Sequence, residues 1–176
     1  MSGRGGGDLT APPAGPRTQV LHGRDGHTGL LVGRFDRRRG SAGLERIAQE
    51  DAVQLAGRWP ASKYLMSTQE VFDATLGATP AKVATALQLM RLFAFSYLIG
   101  NGDLHGKNVS VYAPDGQLWQ LAPAYDLVST VPYGDRHMAL RLEGRDDHPL
   151  GTTFTSFGAR YGVPPRPPVA GDDMCK

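Results

Sequence analysis

Residues 79–99 limit the fold more than any other part of the chain. Thr79 suits a helix cap, and Pro80 suits the first helical turn, where a missing N–H costs nothing. Val83, Leu87, Met90, Phe93, Tyr97 and Leu98 then cover more than one face, and Gly100-Asn101 stops the run. A helix that is apolar on several faces has to be wrapped by other elements. The chain is therefore predicted to build its core around residues 79–99. Lys82, Gln88 and Arg91 interrupt the apolar stretch too early for a membrane span, so none is expected.

A polar loop follows, and then a hairpin signal. Val109-Ser110-Val111-Tyr112 and Gln117-Leu118-Trp119-Gln120-Leu121 alternate as strands do, and Ala113-Pro114-Asp115-Gly116 between them is a turn with a stereochemical cause. A second hairpin is predicted upstream. There Val20-Leu21-His22 and Leu30-Leu31-Val32 flank Gly23-Arg24-Asp25-Gly26. Leu44, Ile47, Ala48, Ala52 and Leu55 are spaced for one face of a helix, with Gly57 to end it. Met138-Ala139-Leu140-Arg141-Leu142 reads as a strand, and residues 154–161 as a short helix cut off by Gly162 and Pro164. The fold class expected is α+β, mostly helical with short β-hairpins.

Residues 1–17 and 163–176 are rich in Gly and Pro and offer little to anchor a core; both are expected to be disordered tails around an ordered region at 18–162. The net charge of +2 is too small to argue for nucleic acid, and Arg37-Arg38-Arg39 reads as a solvated surface cluster. No direct nucleic-acid binding is expected. Cys175 is the chain's one cysteine, and no signal-peptide core is visible at the N-terminus. Both features lead us to expect a cytoplasmic protein.

The loop before the second hairpin carries the chemistry. It reads Asn101-Gly102-Asp103-Leu104-His105-Gly106-Lys107-Asn108, with Asp126 eighteen positions beyond Asn108. A hairpin returns the chain to its start, so Asn108 and Asp126 are predicted to converge at one rim, with Asp103 beside them. An aspartate, an asparagine five places on and a second aspartate beyond a hairpin is the order of a phosphoryl-transfer site. Such a site needs a carboxylate to orient the attacking hydroxyl, and hard oxygen ligands for Mg²⁺. Asp103 takes the first role, and Asn108 and Asp126 the second. Lys107 is placed to neutralise phosphate charge, and His105 to hold the loop or touch a phosphate oxygen. Read singly, these residues are ordinary turn and cap residues; the joint spacing is what points to chemistry.

The runs 102–108 and Leu121-Ala122-Pro123-Ala124-Tyr125-Asp126-Leu127 resemble the C-terminal kinase domain of HipA-type serine/threonine kinases, the toxins of HipA–HipB toxin–antitoxin pairs. Leu31-Val32-Gly33-Arg34-Phe35-Asp36-Arg37 is similar to that family's hinge strand, and Gln49-Glu50-Asp51 and Lys63-Tyr64 also match its pattern. The resemblance implies the C-terminal lobe of a protein-kinase-like fold that binds ATP and Mg²⁺ and phosphorylates a serine or threonine of a protein. It places the catalytic aspartate at Asp103 and the nucleotide- and metal-binding loop at His105, Gly106, Lys107 and Asn108. Tyr125 and Asp126 fall at the second metal-binding position, and Gly33, Arg34, Phe35 and Asp36 at the adenine hinge. Implied partners are a protein acceptor, with the translation apparatus among the family's acceptors, and a HipB-like DNA-binding antitoxin.

The sequence also departs from that pattern. Gly33 stands where a glutamate is usual, and no glycine-rich phosphate loop or strand lysine precedes the hinge. The chain thus looks like a catalytic lobe lacking most of the N-terminal lobe and shortened at both ends. Three readings stay open at this point: an active protein kinase, an impaired lobe that only binds a partner, and a small-molecule kinase of the aminoglycoside or choline type.

Overall fold

The computed structural model describes residues 14–146 and 151–164. Two small antiparallel sheets come first. Strands β1 (Thr18–His22) and β2 (Thr28–Val32) pair through Thr18↔Val32 and His22↔Thr28, as the turn residues predict. Strands β3 (Arg37–Gly40) and β4 (Gly43–Arg46) form the second hairpin. The triple-arginine cluster is therefore a strand, and Arg38 pairs with Glu45 across it.

The predicted helix over 44–55 is not formed. Strand β4 takes its first residues, and β5 (Ala48–Asp51) the next. Only Ala52–Leu55, here α1, is helical, with Gly57 beyond it at φ 63°. The reason is long-range: β5 joins the central sheet by pairing antiparallel with β6 (Ser110–Ala113), from Ala48↔Ala113 to Asp51↔Ser110. A ladder of backbone hydrogen bonds outweighs a weak local periodicity. Asp51 then caps α1 in a reciprocal box with Gln54. β7 (Gln120–Leu121) completes the sheet on the far side of β6, and the Ala113–Gly116 turn forms as expected. Residues 117–119, predicted as strand, instead extend the connection, where the Asp115 carboxylate accepts from the Gln117 and Leu118 N–H groups.

Helix α2 (Thr68–Ala78) has no counterpart among the elements expected from the sequence. Its start is nevertheless written in the chain, because Ser67 and Glu70 form a capping box. Thr79, predicted to open the long helix, instead closes α2, its hydroxyl donating to the Thr75 carbonyl. The long helix α3 begins two residues after Pro80, at Lys82–Ile99, and ends where predicted. Gly100 adopts the left-handed conformation and donates back to Tyr97, while Asn101 donates to Ser96. By length and apolarity α3 also meets the requirements of a membrane crossing, but seven of its residues are buried inside this structure.

Helix α4 (Gly151–Arg160) closes the helical layer. Phe72 of α2 meets Phe93 of α3 at 5.4 Å and Phe157 of α4 at 4.9 Å, both edge-on. Such pairs add about 0.5–1.5 kcal/mol each to the burial of their area. Residues 138–142 show the predicted alternation, with Met138, Leu140 and Leu142 all buried. They do not form a strand, however: a single bridge joins Leu142 to Arg145, and the Met138 N–H donates to the Asp146 carbonyl. The expected tails at 1–17 and 163–176 fall mostly outside the described residues, as does Cys175. Within them, the carbonyls of Ala14 and Arg17 accept hydrogen bonds from Ala124 and Gly33.

Candidate active site

The loop 101–109 is fixed by its own apolar residues. Leu104 and Val109 are fully buried in the core. Asn101, His105 and Asn108 are buried with them, while Asp103 is half-buried and Lys107 reaches the rim. Gly106 lies flat against α1 and Met66; a Cβ there would sit 2.7 Å from the Met66 sulfur and 2.9 Å from Val53 Cγ2. That contact explains the glycine: the loop docks at backbone distance. The Asn101 Oδ1 accepts from the Asp103 N–H at 3.1 Å, forming the turn that presents Asp103.

Asn108 and Asp126 meet as predicted, and Asp103 joins them through its backbone carbonyl while its carboxylate bonds Tyr64. Asn108 Nδ2 donates to the Asp103 carbonyl at 3.1 Å and to Asp126 Oδ2 at 3.2 Å. One amide thus ties the loop to the segment beyond the hairpin. Asp126 is exposed and has φ 56°, a left-handed conformation that aspartate tolerates and most residues do not. Strained backbone of this kind gathers at functional sites.

Tyr125 supports the same joint from behind. Its hydroxyl donates to the Lys107 carbonyl at 2.6 Å and lies 2.5 Å from Ser110 Oγ. Burial pushes this phenol up to about 12. Ser110 is not among the residues the sequence singles out, since a serine within a strand carries no signal of its own. Lys107 itself is exposed at the rim.

The hinge residues meet this site through Tyr125. Val32, Gly33, Arg34, Phe35 and Asp36 line a cavity of about 280 Å³ together with Pro16, Gln49 and Tyr125. The Phe35 ring lies 5.6 Å from the Tyr125 ring and 5.8 Å from that of Tyr112. The cavity is slightly smaller than ordinary ligand pockets, which run from roughly 300 Å³ upward. Asp36 is committed elsewhere: Arg34 and Arg37 both bind its carboxylate, and the Arg34 hydrogen bond chiefly holds it below the usual carboxylate range. These ion pairs brace the 34–37 segment.

Lys63 and Tyr64, matched from sequence only as a pattern, touch the loop directly. Lys63 Nζ lies 2.8 Å from His105 Nε2, and the Tyr64 hydroxyl donates to Asp103 Oδ1 at 2.7 Å. Because an ammonium only donates, Nε2 accepts and His105 is neutral with its proton on Nδ1. Burial, followed by the Lys63 charge, holds its pKa below the ordinary 6.5; the facing carboxylates Asp103 and Asp126 oppose this more weakly. As pH falls, the unfolded chain binds the proton first, so this contribution to stability is complete above 6.5 and is lost below it. Urea unfolding between about pH 6.5 and 5 should therefore show wild type losing stability faster than His105→Gln. Parallel slopes for the two proteins would disprove the assignment.

Residues 14–175 match the family described as HipA-like C-terminal domain. Two proteins of Sinorhizobium fredii are similar: "Putative kinase Y4dM", 36% identical over 77% of this chain, and "Putative kinase Y4mE", 38% identical over 78%. The chain spans 29% and 33% of their lengths. Among solved structures, the HipA–HipB–operator DNA complex of the Shewanella oneidensis toxin–antitoxin system matches with a TM-score of 0.72. That match covers 86% of this chain and 40% of the other at 24% identity, so it speaks to fold. It agrees with a mixed α+β chain of short antiparallel sheets and four helices among the described residues. The family match runs through the hinge, the loop and Asp126 alike, and the protein belongs to the HipA-like C-terminal domain family.

Proposed function

We propose that this chain is the catalytic lobe of an ATP- and Mg²⁺-dependent serine/threonine protein kinase of HipA type. The observation that carries the reading is the Asn108 amide bound at once to the Asp103 carbonyl and to Asp126 Oδ2. It supports the reading by tying Asn108 to the Asp103 backbone and to the Asp126 carboxylate, close to the cavity that Tyr125 helps to line.

The donor set fits Mg²⁺. Asn108 spends its Nδ2 on two acceptors, which leaves Oδ1 as its remaining acceptor, and the Asp126 carboxylate is exposed. Mg²⁺ commonly takes one or two protein oxygens and fills its octahedron with water and phosphate oxygens. Once bound, the ion would screen the negative charge of the phosphates. The chain's own residues do the rest. Asp103 orients the acceptor hydroxyl and receives its proton, Lys107 offers positive charge at the rim, and the 32–36 segment with Tyr125 encloses the base. Positioning of this kind supplies most of the catalysis in phosphoryl transfer.

The acceptor is a protein hydroxyl in this reading, and a HipB-like antitoxin is the partner proposed by analogy with the Shewanella complex. Incubation with labelled ATP, Mg²⁺ and acceptor panels tests it: label is expected on serine or threonine of protein. Label on aminoglycosides or choline, with none on protein, would overturn the choice.

A second reading is a lobe that binds nucleotide or partner without transfer; within the described residues, Lys63 and Lys82 are already bonded to His105 and to the Leu76 carbonyl. Nucleotide binding by thermal shift without any transfer to protein would select this reading.

A further inference from the structure

We propose that Tyr64 is a positioning residue for Asp103: its phenol fixes one carboxylate oxygen so that the other faces the acceptor hydroxyl. This rests on Asp103 being the residue that orients the nucleophile. The Tyr64 hydroxyl donates to Asp103 Oδ1 at 2.7 Å, and among the described residues no other side chain bonds that carboxylate. A carboxylate on a loop edge, free to rotate about its terminal torsion, would spend little time in one orientation. A single fixed donor removes that freedom.

Tyr64 is itself held. It ends a 3₁₀ turn at Pro60–Tyr64, closed by the Leu65 N–H on the Ser62 carbonyl. Its ring meets the His105 ring edge-on at 5.0 Å. Lys63 Nζ lies 4.6 Å from the same ring while bonding His105 Nε2. Lys63 and Tyr64 therefore clasp His105 and Asp103, two neighbours on one turn meeting two alternate residues of the loop. Leu104, between those two, is buried and anchors the clasp to the core. The phenol thus transmits the rigidity of the 3₁₀ turn to the reacting carboxylate. Orientation at this level matters, since a misplacement of about 1 Å can cost about 10²-fold in rate.

The test compares the full chain with Tyr64→Phe, Tyr64→Ala, Asp103→Asn and the double variant Tyr64→Phe/Asp103→Asn. Labelled ATP and Mg²⁺ are supplied, with casein, the chain itself and water as acceptors. Tyr64→Phe is expected to lower kcat by about tenfold, the share of a hydrogen bond to a charged group. KM for ATP should not change. Tyr64→Ala should fall to the same kcat, because the hydroxyl and not the ring orients the carboxylate. The double variant should be no slower than Asp103→Asn alone, since Tyr64 then has no carboxylate to orient.

Wild-type kcat in Tyr64→Phe, with Asp103→Asn inactive, would overturn the proposal and leave the role of Asp103 standing. A faster Tyr64→Phe would also overturn it, showing that the phenol blocks the acceptor position. A further loss in the double variant would reduce Tyr64 to general structural support. Full activity in Asp103→Asn, or no transfer by wild type to any acceptor, would remove the underlying reading and the proposal with it.

Discussion

Asp103→Asn is expected to lower phosphoryl transfer by about 10²-fold or more and to leave Mg²⁺-dependent ATP binding intact. The substitution is close to isosteric. The Asp103 backbone carbonyl, which accepts from Asn108, is untouched, and so is the turn made by Asn101 Oδ1 on its N–H. The introduced amide would still accept from Tyr64 through its own oxygen. What disappears is the carboxylate's capacity to draw in the proton of an acceptor hydroxyl. Single-turnover transfer from labelled ATP measures the chemical step, and a thermal shift with ATP and Mg²⁺ measures binding. Loss of both together would mean that Asp103 serves the nucleotide, and loss of neither that the base lies elsewhere.

The second large effect is expected at Asp126. Asn is the informative replacement, because it tolerates the left-handed conformation at φ 56° where alanine would add strain. It can also keep a partner for Asn108 Nδ2. Only the charge needed for the cation is removed. ATP with Mg²⁺, at a hundredfold excess over Kd, should stabilise wild type by about 2.7 kcal/mol. For a chain of this size that corresponds to roughly 2–4 °C in Tm per kcal/mol. Asp126→Asn should show no Mg²⁺-dependent part of that shift. An undiminished Mg²⁺ effect would show that the divalent cation is held by other residues.

The portions legible in the sequence are those fixed by neighbours along the chain. The end of α3 needs only Gly100, and the turn at Ala113–Gly116 needs only Pro114, Asp115 and Gly116, although the strand after it starts three residues later than predicted. The meeting of Asn108 with Asp126 then follows from what a hairpin does to its ends. Residues 44–55 depart from expectation for the opposite reason. Their helical spacing is genuine but short, and pairing decides their structure: β3 holds residues 44–46, and β6, far along the chain, holds 48–51. Thr79 is ambiguous because a threonine beside proline can finish one helix as well as begin another. The start of α2 is readable after the fact, since Ser67 and Glu70 spell it. The clasp of Lys63 and Tyr64 on the loop cannot be read from sequence at all. It depends on how a 3₁₀ turn docks beside Gly106 in three dimensions.

The β5–β6 pairing sets the order in which this protein can come together. Residues 48–51 must find residues 110–113 with α1, α2 and α3 strung between them. Closing so long a loop is slow compared with forming helices or tight hairpins. We expect an early species in which the α2–α3 pair has collapsed while the ends of the loop still hang apart, holding helical signal yet unable to grip a nucleotide. Pulse-labelled hydrogen exchange would see it as late protection at Glu50 and Val111, which face each other across β5 and β6. Competence for ligand would then be among the last properties gained on the way to the native state.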